Sequence, residues 1–354
     1  MPRSLLLSST ILIAGLAAAP AITVSAAAQT SAETAEAPME QSADAALSAF
    51  FESFDQAELA FSPLTKSFRG IRDADYGTWG DFSDADTVAE QERLIAARDQ
   101  MRASFANADL NDQSRLSFQL FERMAERSAA AFEFRGNDYI FDQMNGAQSQ
   151  LPAFLINIHR VSEPAHAEAY ISRLTGLGTV IDQLIAEAEA REANGVVPPD
   201  WVFPYIISDT RNVITGAPFS EGDDTPLYAD LQSKVNSLDI SDEEKADLIA
   251  RGRAALLESV GPAYERLIAM FERQQANAPD QDGIWRCDNG AEYYAERLRY
   301  YTTTVLTADE VHQIGLREVE RILGEMRAIM AQVEFECSLQ EFFVHLRNGD
   351  EFFY

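Results

Sequence analysis

A single stripe constrains this chain more than any other feature. Tyr170, Leu174, Leu177, Ile181, Leu184 and Ala188 recur at steps of three and four. That repeat collects side chains on one face of an α-helix, and no β-strand can collect them so. It predicts one long helix from about Ser162 to Ala193. Ser162 can cap the start, with Glu163 and Pro164 in the first turn. Asn194-Gly195 supplies a left-handed stop and Pro198-Pro199 prevents continuation.

The same period appears elsewhere. Ala46, Phe50, Phe51 and Phe54 follow it, as do Leu116, Leu120, Phe121 and Met124. Ser241 and Glu244 form a capping box before Ile249, Leu256, Val260, Leu267 and Phe271, and Gly261-Pro262 is expected to kink or break that helix. Between the helices, FSPLTKSFRGIRDADYGTWGD has the composition of a long irregular connection. Extended candidates are few. WVFPYIIS (Trp201 to Ser208) contains Pro204 and suits at best an edge strand, and YYTTTV from Tyr300 is the better candidate because Thr and Val favour extended chain. With no internal repeat and no linker, the expected fold is mainly α, a single multi-helix body over residues 43–354 with a few short strands.

The first residues have the pattern of an export signal. Arg3 precedes a mostly apolar stretch from Leu5 to Val24, and Ser25-Ala26-Ala27-Ala28 offers small residues for cleavage before Gln29. Residues 1–28 are therefore expected to leave, followed by an Ala/Glu/Ser-rich leader over 29–42. No later apolar run is long enough to span a bilayer, so no stable membrane insertion is expected after cleavage. The formal net charge of −29 argues against nucleic acid as a partner. Two cysteines, Cys287 and Cys337, flank a helical block. In an oxidising compartment they are a disulfide candidate, with two free thiols as the alternative.

The stretch YYTTTVLTADEVHQIGLREVERI carries a histidine among acids. Thr307 and Glu310 fit a capping box, and Asp309 suits a positive helix end, so helix initiation explains the acids. Val311, Ile314, Val319, Ile322, Met326, Ile329 and Val333 then line one face. Gly315 inside this helix calls for a close backbone contact. His312 is expected to be partly buried and hydrogen-bonded, with a catalytic or ligand role as the alternative. The other histidines are His159, His166 and His345, and only Glu341 with His345 shares a helical spacing. That pair suits an exposed carboxylate–imidazole contact better than a metal site. No His-Glu-x-x-His, Gly-x-Ser-x-Gly, Walker loop or dinucleotide fingerprint occurs.

From Gly283 the segment GIWRCDNGAEYYAERLRYYTTTVLTADEVHQIGLREVERILGEM resembles a signature block of the bacterial family called domain of unknown function 885. The likeness rests on Trp285, Asn289-Gly290, Tyr293-Tyr294, Leu298-Arg299, Thr302 to Thr304, and Glu310, His312, Gly315 and Leu316. It extends more loosely over nearly the whole chain. The resemblance implies an exported, mainly helical protein, similar to the N-terminal half of a zincin-like metallopeptidase. In the family, a His-Glu motif and a downstream Glu would hold zinc and activate water, but both lie C-terminal to the quoted block. No residue of this chain receives those roles, so no cofactor is expected here, and zinc is implied only for the full-length family.

The last residues, LRNGDEFFY, end on aromatics after a helix stop. Such an apolar ending leads us to expect a truncated polypeptide. Two functions are carried forward. One is the N-terminal, non-catalytic portion of an exported peptidase, with peptides or the missing C-terminal half as partners. In it Tyr301, Thr302, Thr303, Thr304 and His312 lie near substrate, and Tyr301 to Val305 forms an edge strand that pairs with peptide. The other is a self-contained periplasmic helical binding or scaffold protein.

Overall fold

The computed structural model describes residues 42–279 and 281–352. The expected signal, nearly all of the leader, and the two aromatics at 353–354 lie outside the described residues. The described chain packs as two units, dividing between Cys287 and Asp288, rather than as one continuous body.

The first unit contains ten α-helices among its described residues. In order they are α1 (Ala43–Leu59), α2 (Pro63–Phe68), α3 (Asp84–Phe105), α4 (Asp112–Phe132) and α5 (Ala147–Asn157). Then follow α6 (Pro164–Glu192), α7 (Phe203–Val213), α8 (Pro226–Asn236), α9 (Asp242–Ala255) and α10 (Gly261–Gln275). The second unit holds α11 (Gly290–Thr302), α12 (Ala308–Gln332) and α13 (Leu339–Asn348). The protein is mainly α. Among the described residues, bridging of extended chain is limited to an isolated pair, Ala217 and Asp224.

The helix α6 organises the first unit. Tyr170, Leu174, Leu177, Ile181 and Leu184 are all buried, as the stripe requires. Around them pack Leu151 and Leu155 of α5, Phe203 and Ile206 of α7, Leu227 and Leu231 of α8, and Leu267 and Phe271 of α10. Each fully buried side chain of this kind contributes about 1.5–3 kcal/mol relative to exposure. A smaller cluster joins α1, α3 and α4 through Leu47, Met101 and Phe121, with Phe54 set edge-on to Phe121 at 5.2 Å.

Helix ends follow local chemistry. Ser241 and Thr307 make the expected capping boxes, and Ser338 makes a third with Glu341. Gly195 stops α6 with φ +76°. The start of α6 differs from expectation. The helix begins at Pro164 behind Glu163, with no side-chain cap. The Ser162 hydroxyl is engaged elsewhere, 3.1 Å from Nδ1 of His166, and accepts from Arg72 at 2.9 Å. At Gly261-Pro262 the helical path does not break off. A π turn over Leu256–Val260 absorbs the proline, whose ring cannot accommodate regular α-helical bonding.

Neither predicted strand forms, and helix takes up the first and the start of the second, which corrects the sequence expectation. In WVFPYIIS, Pro204 sits in the first turn of α7, where a missing N–H costs nothing, and Phe203, Ile206, Ile207 and Thr210 face the core. In YYTTTV, Tyr300 to Thr302 complete α11. The Thr302 hydroxyl donates to Leu298 O at 2.7 Å, a bond that lets threonine sit in a helix. The connection before α3 is only partly irregular, because Ser62 caps the short α2.

Candidate functional site

The residues singled out by sequence gather in the second unit, where α11 gives way to α12. In α11 the guanidinium of Arg297 lies over the ring of Tyr300 at 4.7 Å and of Tyr293 at 5.8 Å. The helix ends at Thr303, whose φ of 55° is left-handed. A β-branched residue pays strain there that glycine would avoid. The threonine hydroxyls hold the turn. Thr302 and Thr304 share a hydrogen bond at 2.9 Å, Thr303 donates to Thr302 O at 2.7 Å, and Thr304 accepts from the Leu306 N–H at 3.3 Å. Tyr301 is 72% exposed and Val305 91%.

The acids beyond this turn serve the helix start. The Thr307 N–H donates to Glu310 Oε2 at 2.8 Å, and the Glu310 N–H donates back to Thr307 Oγ1 at 3.3 Å. The backbone bond from Thr307, followed by that of its hydroxyl, holds the Glu310 carboxyl below its ordinary pKa. His312 is exposed, not partly buried as expected. One helical turn past the cap, the apolar side chains near it also face outward, so nothing encloses it. The edge strand expected over Tyr301 to Val305 is absent: Tyr301 and Thr302 belong to α11, and the Thr304 N–H turns back to the Thr302 hydroxyl at 3.3 Å.

Among the described residues, no group of three His, Cys, Asp or Glu side chains comes together to hold a metal. The residues present do not fit the zinc that the resemblance implies. Glu341 is tied to Ser338 at 2.6 Å, and the His345 ring stacks on Phe335 at 5.2 Å with Phe352 edge-on at 5.5 Å. Cys287 is a buried free thiol in the first unit, and Cys337 an exposed free thiol in the second.

Sequence reasoning missed a buried polar cluster in the first unit. Arg173 of α6 is fully buried. It donates to Thr78 O at 3.0 Å, to Ser67 Oγ at 2.9 Å and to His159 Nδ1 at 3.0 Å. Its guanidinium lies 4.9 Å from the Phe154 ring centre and 5.3 Å from that of Tyr76. Arginine cannot accept, so Nδ1 of His159 must accept, and Nε2–H donates to His166 O at 3.0 Å. Burial pulls the His159 pKa down to about 3, opposed by its hydrogen bond to His166 O and helped by the nearby Arg173 charge. Burial likewise lowers Arg173 to about 10. The cluster is sealed and its hydrogen bonds are satisfied, so it ties the loop before α3 to α6. Its sequence signal was an arginine on the apolar stripe, three residues after Tyr170 and four before Leu177.

An open groove of about 510 Å³ lies on the first unit between α7 and α10, lined by Pro204, Ile207, Ser208, Arg211, Glu272 and Gln275. Arg211 pairs with Glu272 across it, so its charged lining is self-neutralising.

Two helical units, the first built around one long buried helix, with a polar tie beneath it and a threonine-built turn in the second, define an all-α protein. No described helix is long and apolar enough to cross a membrane. The chain belongs to the family "Bacterial protein of unknown function (DUF885)", which matches residues 63–354. No curated protein matches it. Among solved structures it is similar to the "putative lipoprotein" from Colwellia psychrerythraea, with a TM-score of 0.75 at 21% identity, which shows a shared fold. The match covers 89% of this chain and 55% of that one, so the chain spans about half the length of this solved relative.

Proposed function

We propose that this chain is the N-terminal, non-catalytic portion of an exported zinc-dependent peptidase, shaping the peptide cleft and inactive alone. The observation that carries the reading is family membership over residues 63–354, joined to a fold match that covers 55% of a longer relative. Support for export comes from the basic-then-apolar start at Arg3 to Val24 and from the description of that relative as a lipoprotein. In this reading zinc and its catalytic water belong to the portion that the resemblance places beyond the Thr-rich block. Tyr301, Thr303, Thr304 and His312 line the cleft through exposed side chains, with the half-buried Thr302 beside them. Strain retained at Thr303 favours that role, because left-handed β-branched residues persist where something other than stability selects them.

The test uses the full-length Colwellia psychrerythraea relative with a mixed peptide substrate. Chelator-sensitive cleavage is expected, reduced by substitution at the position matching Thr303. Absence of chelator-sensitive cleavage sinks the peptidase reading, and cleavage unchanged by the Thr303 substitution sinks the cleft role alone. A second reading, a self-contained periplasmic binding or scaffold protein, draws on the first unit. That unit closes its apolar clusters on its own residues and presents the α7–α10 groove. Cooperative, monomeric unfolding of the isolated chain would favour it.

A further inference from the structure

The helix α12 is amphipathic, and much of its apolar side is exposed among the described residues. Val311, Val319, Ile322, Met326, Ile329 and Val333 share one face with Gly315 at its centre line. Val319 is 56% exposed, Ile329 51% and Val333 58%. Met330 alone among the described α12 residues is buried. Along one flank of that face Arg321 pairs with Glu318 and Glu325, both at 2.7 Å. Gly315 was expected to meet a close backbone, yet a Cβ built on it meets nothing within 4 Å. The glycine leaves a flat notch midway along the first half of an exposed apolar face, the shape into which another helix backbone can settle.

Three occupants are conceivable, and charge separates them. A second copy brings another −29. In an antiparallel self-pair centred on Ile322, Glu318 of one copy also meets Glu325 of the other on the same flank. An anionic lipid surface is repelled by the same net charge. A polypeptide of another sequence need not repeat this chain's acidic flank, and the solved relative has 45% of its chain outside the match.

We propose that the apolar face of α12 docks a helix of the polypeptide corresponding to that remaining part, its backbone closest to this chain at Gly315. The proposal rests on the reading that this chain is one portion of a longer assembly, and it names the surface that joins the portions. Burying this stripe supplies the driving force, and the notch sets the register.

The test co-expresses the full chain with the part of the Colwellia psychrerythraea protein that it does not cover, and measures mass by light scattering. A 1:1 complex is expected. Val319→Glu should weaken it at least 100-fold. Gly315→Leu is the more telling variant. It fills open space in the free chain, so folding is preserved and helicity rises, yet docking should fall at least tenfold. The proposal is overturned by recovery of the two polypeptides apart, by a complex indifferent to both variants, or by a homodimer of this chain that Val319→Glu dissolves. Hydrolysis is read separately. A complex that forms without chelator-sensitive cleavage keeps the docking surface and removes the peptidase reading. Cleavage by the intact relative with no complex here does the reverse.

Discussion

His159 makes the first unit sensitive to acid in a window where its carboxylates are silent. Burial holds the imidazole neutral down to about pH 3 in the folded protein, against an unfolded value of 6.5. A base with a depressed folded pKa contributes stability that is complete above 6.5. As pH falls below that, the unfolded chain takes up a proton that the folded chain refuses. The loss approaches about 1.4 kcal/mol per pH unit, and integration from pH 6.5 to 5.0 gives about 1.6 kcal/mol. Carboxylates held low by arginine, such as Asp84 beside Arg135, lose their contribution only as pH falls through the carboxylate range, below this window. The assay is urea unfolding at pH 7.0, 6.5, 5.5 and 5.0, followed by the fluorescence of buried Trp79, whose indole donates to Arg173 O at 2.7 Å. The variant His159→Asn retains an acceptor for Arg173 and cannot titrate, so its stability should be lower but flat across the window. A wild-type stability unchanged from pH 7.0 to 5.0, or an Asn variant with the wild-type slope, would refute the reasoning.

Three further outcomes follow from particular contacts. Phe121→Ala removes the ring on which Phe50, Phe51 and Phe54 converge and should cost about 3–5 kcal/mol in chemical denaturation. Thr303→Gly relieves the left-handed cap of α11 and should raise stability by about 0.5–1 kcal/mol, seen as a higher denaturation midpoint. A maleimide probe should label Cys337 at once in native protein and Cys287 only in denaturant, and immediate labelling of both would contradict the burial of Cys287.

Much of the helical architecture was legible because its signals are local. The stripe of α6 and the boxes at Ser241 and Thr307 each lie within a few turns of chain, so periodicity and capping chemistry suffice. The strands failed for an equally local reason. Proline within WVFPYIIS was weighed as a defect of a strand, although the same residue is favoured in the first turn of a helix. Threonine propensity misled at Tyr300 to Thr302, where the hydroxyl of Thr302 bonds back to Leu298. The Arg173 cluster was illegible because its partners, Ser67, Thr78 and His159, come from three separate segments. Of the candidate site, the cap at Thr307 was readable, but the exposure of His312 was not, since periodicity tells which residues share a face and not whether anything covers it.

The tie between the early loop and α6 also has a cost in time. Tyr76 exchanges hydrogen bonds with Arg160, 84 residues further on, and Ser67 waits for Arg173, 106 residues on. A ribosome adds about 5–20 residues per second. The aromatic loop carrying Tyr76 and Trp79 therefore spends roughly 4–20 seconds as exposed nascent chain before its partners exist. During that interval its aromatic side chains lack the cover that the folded unit gives Tyr76 and Trp79.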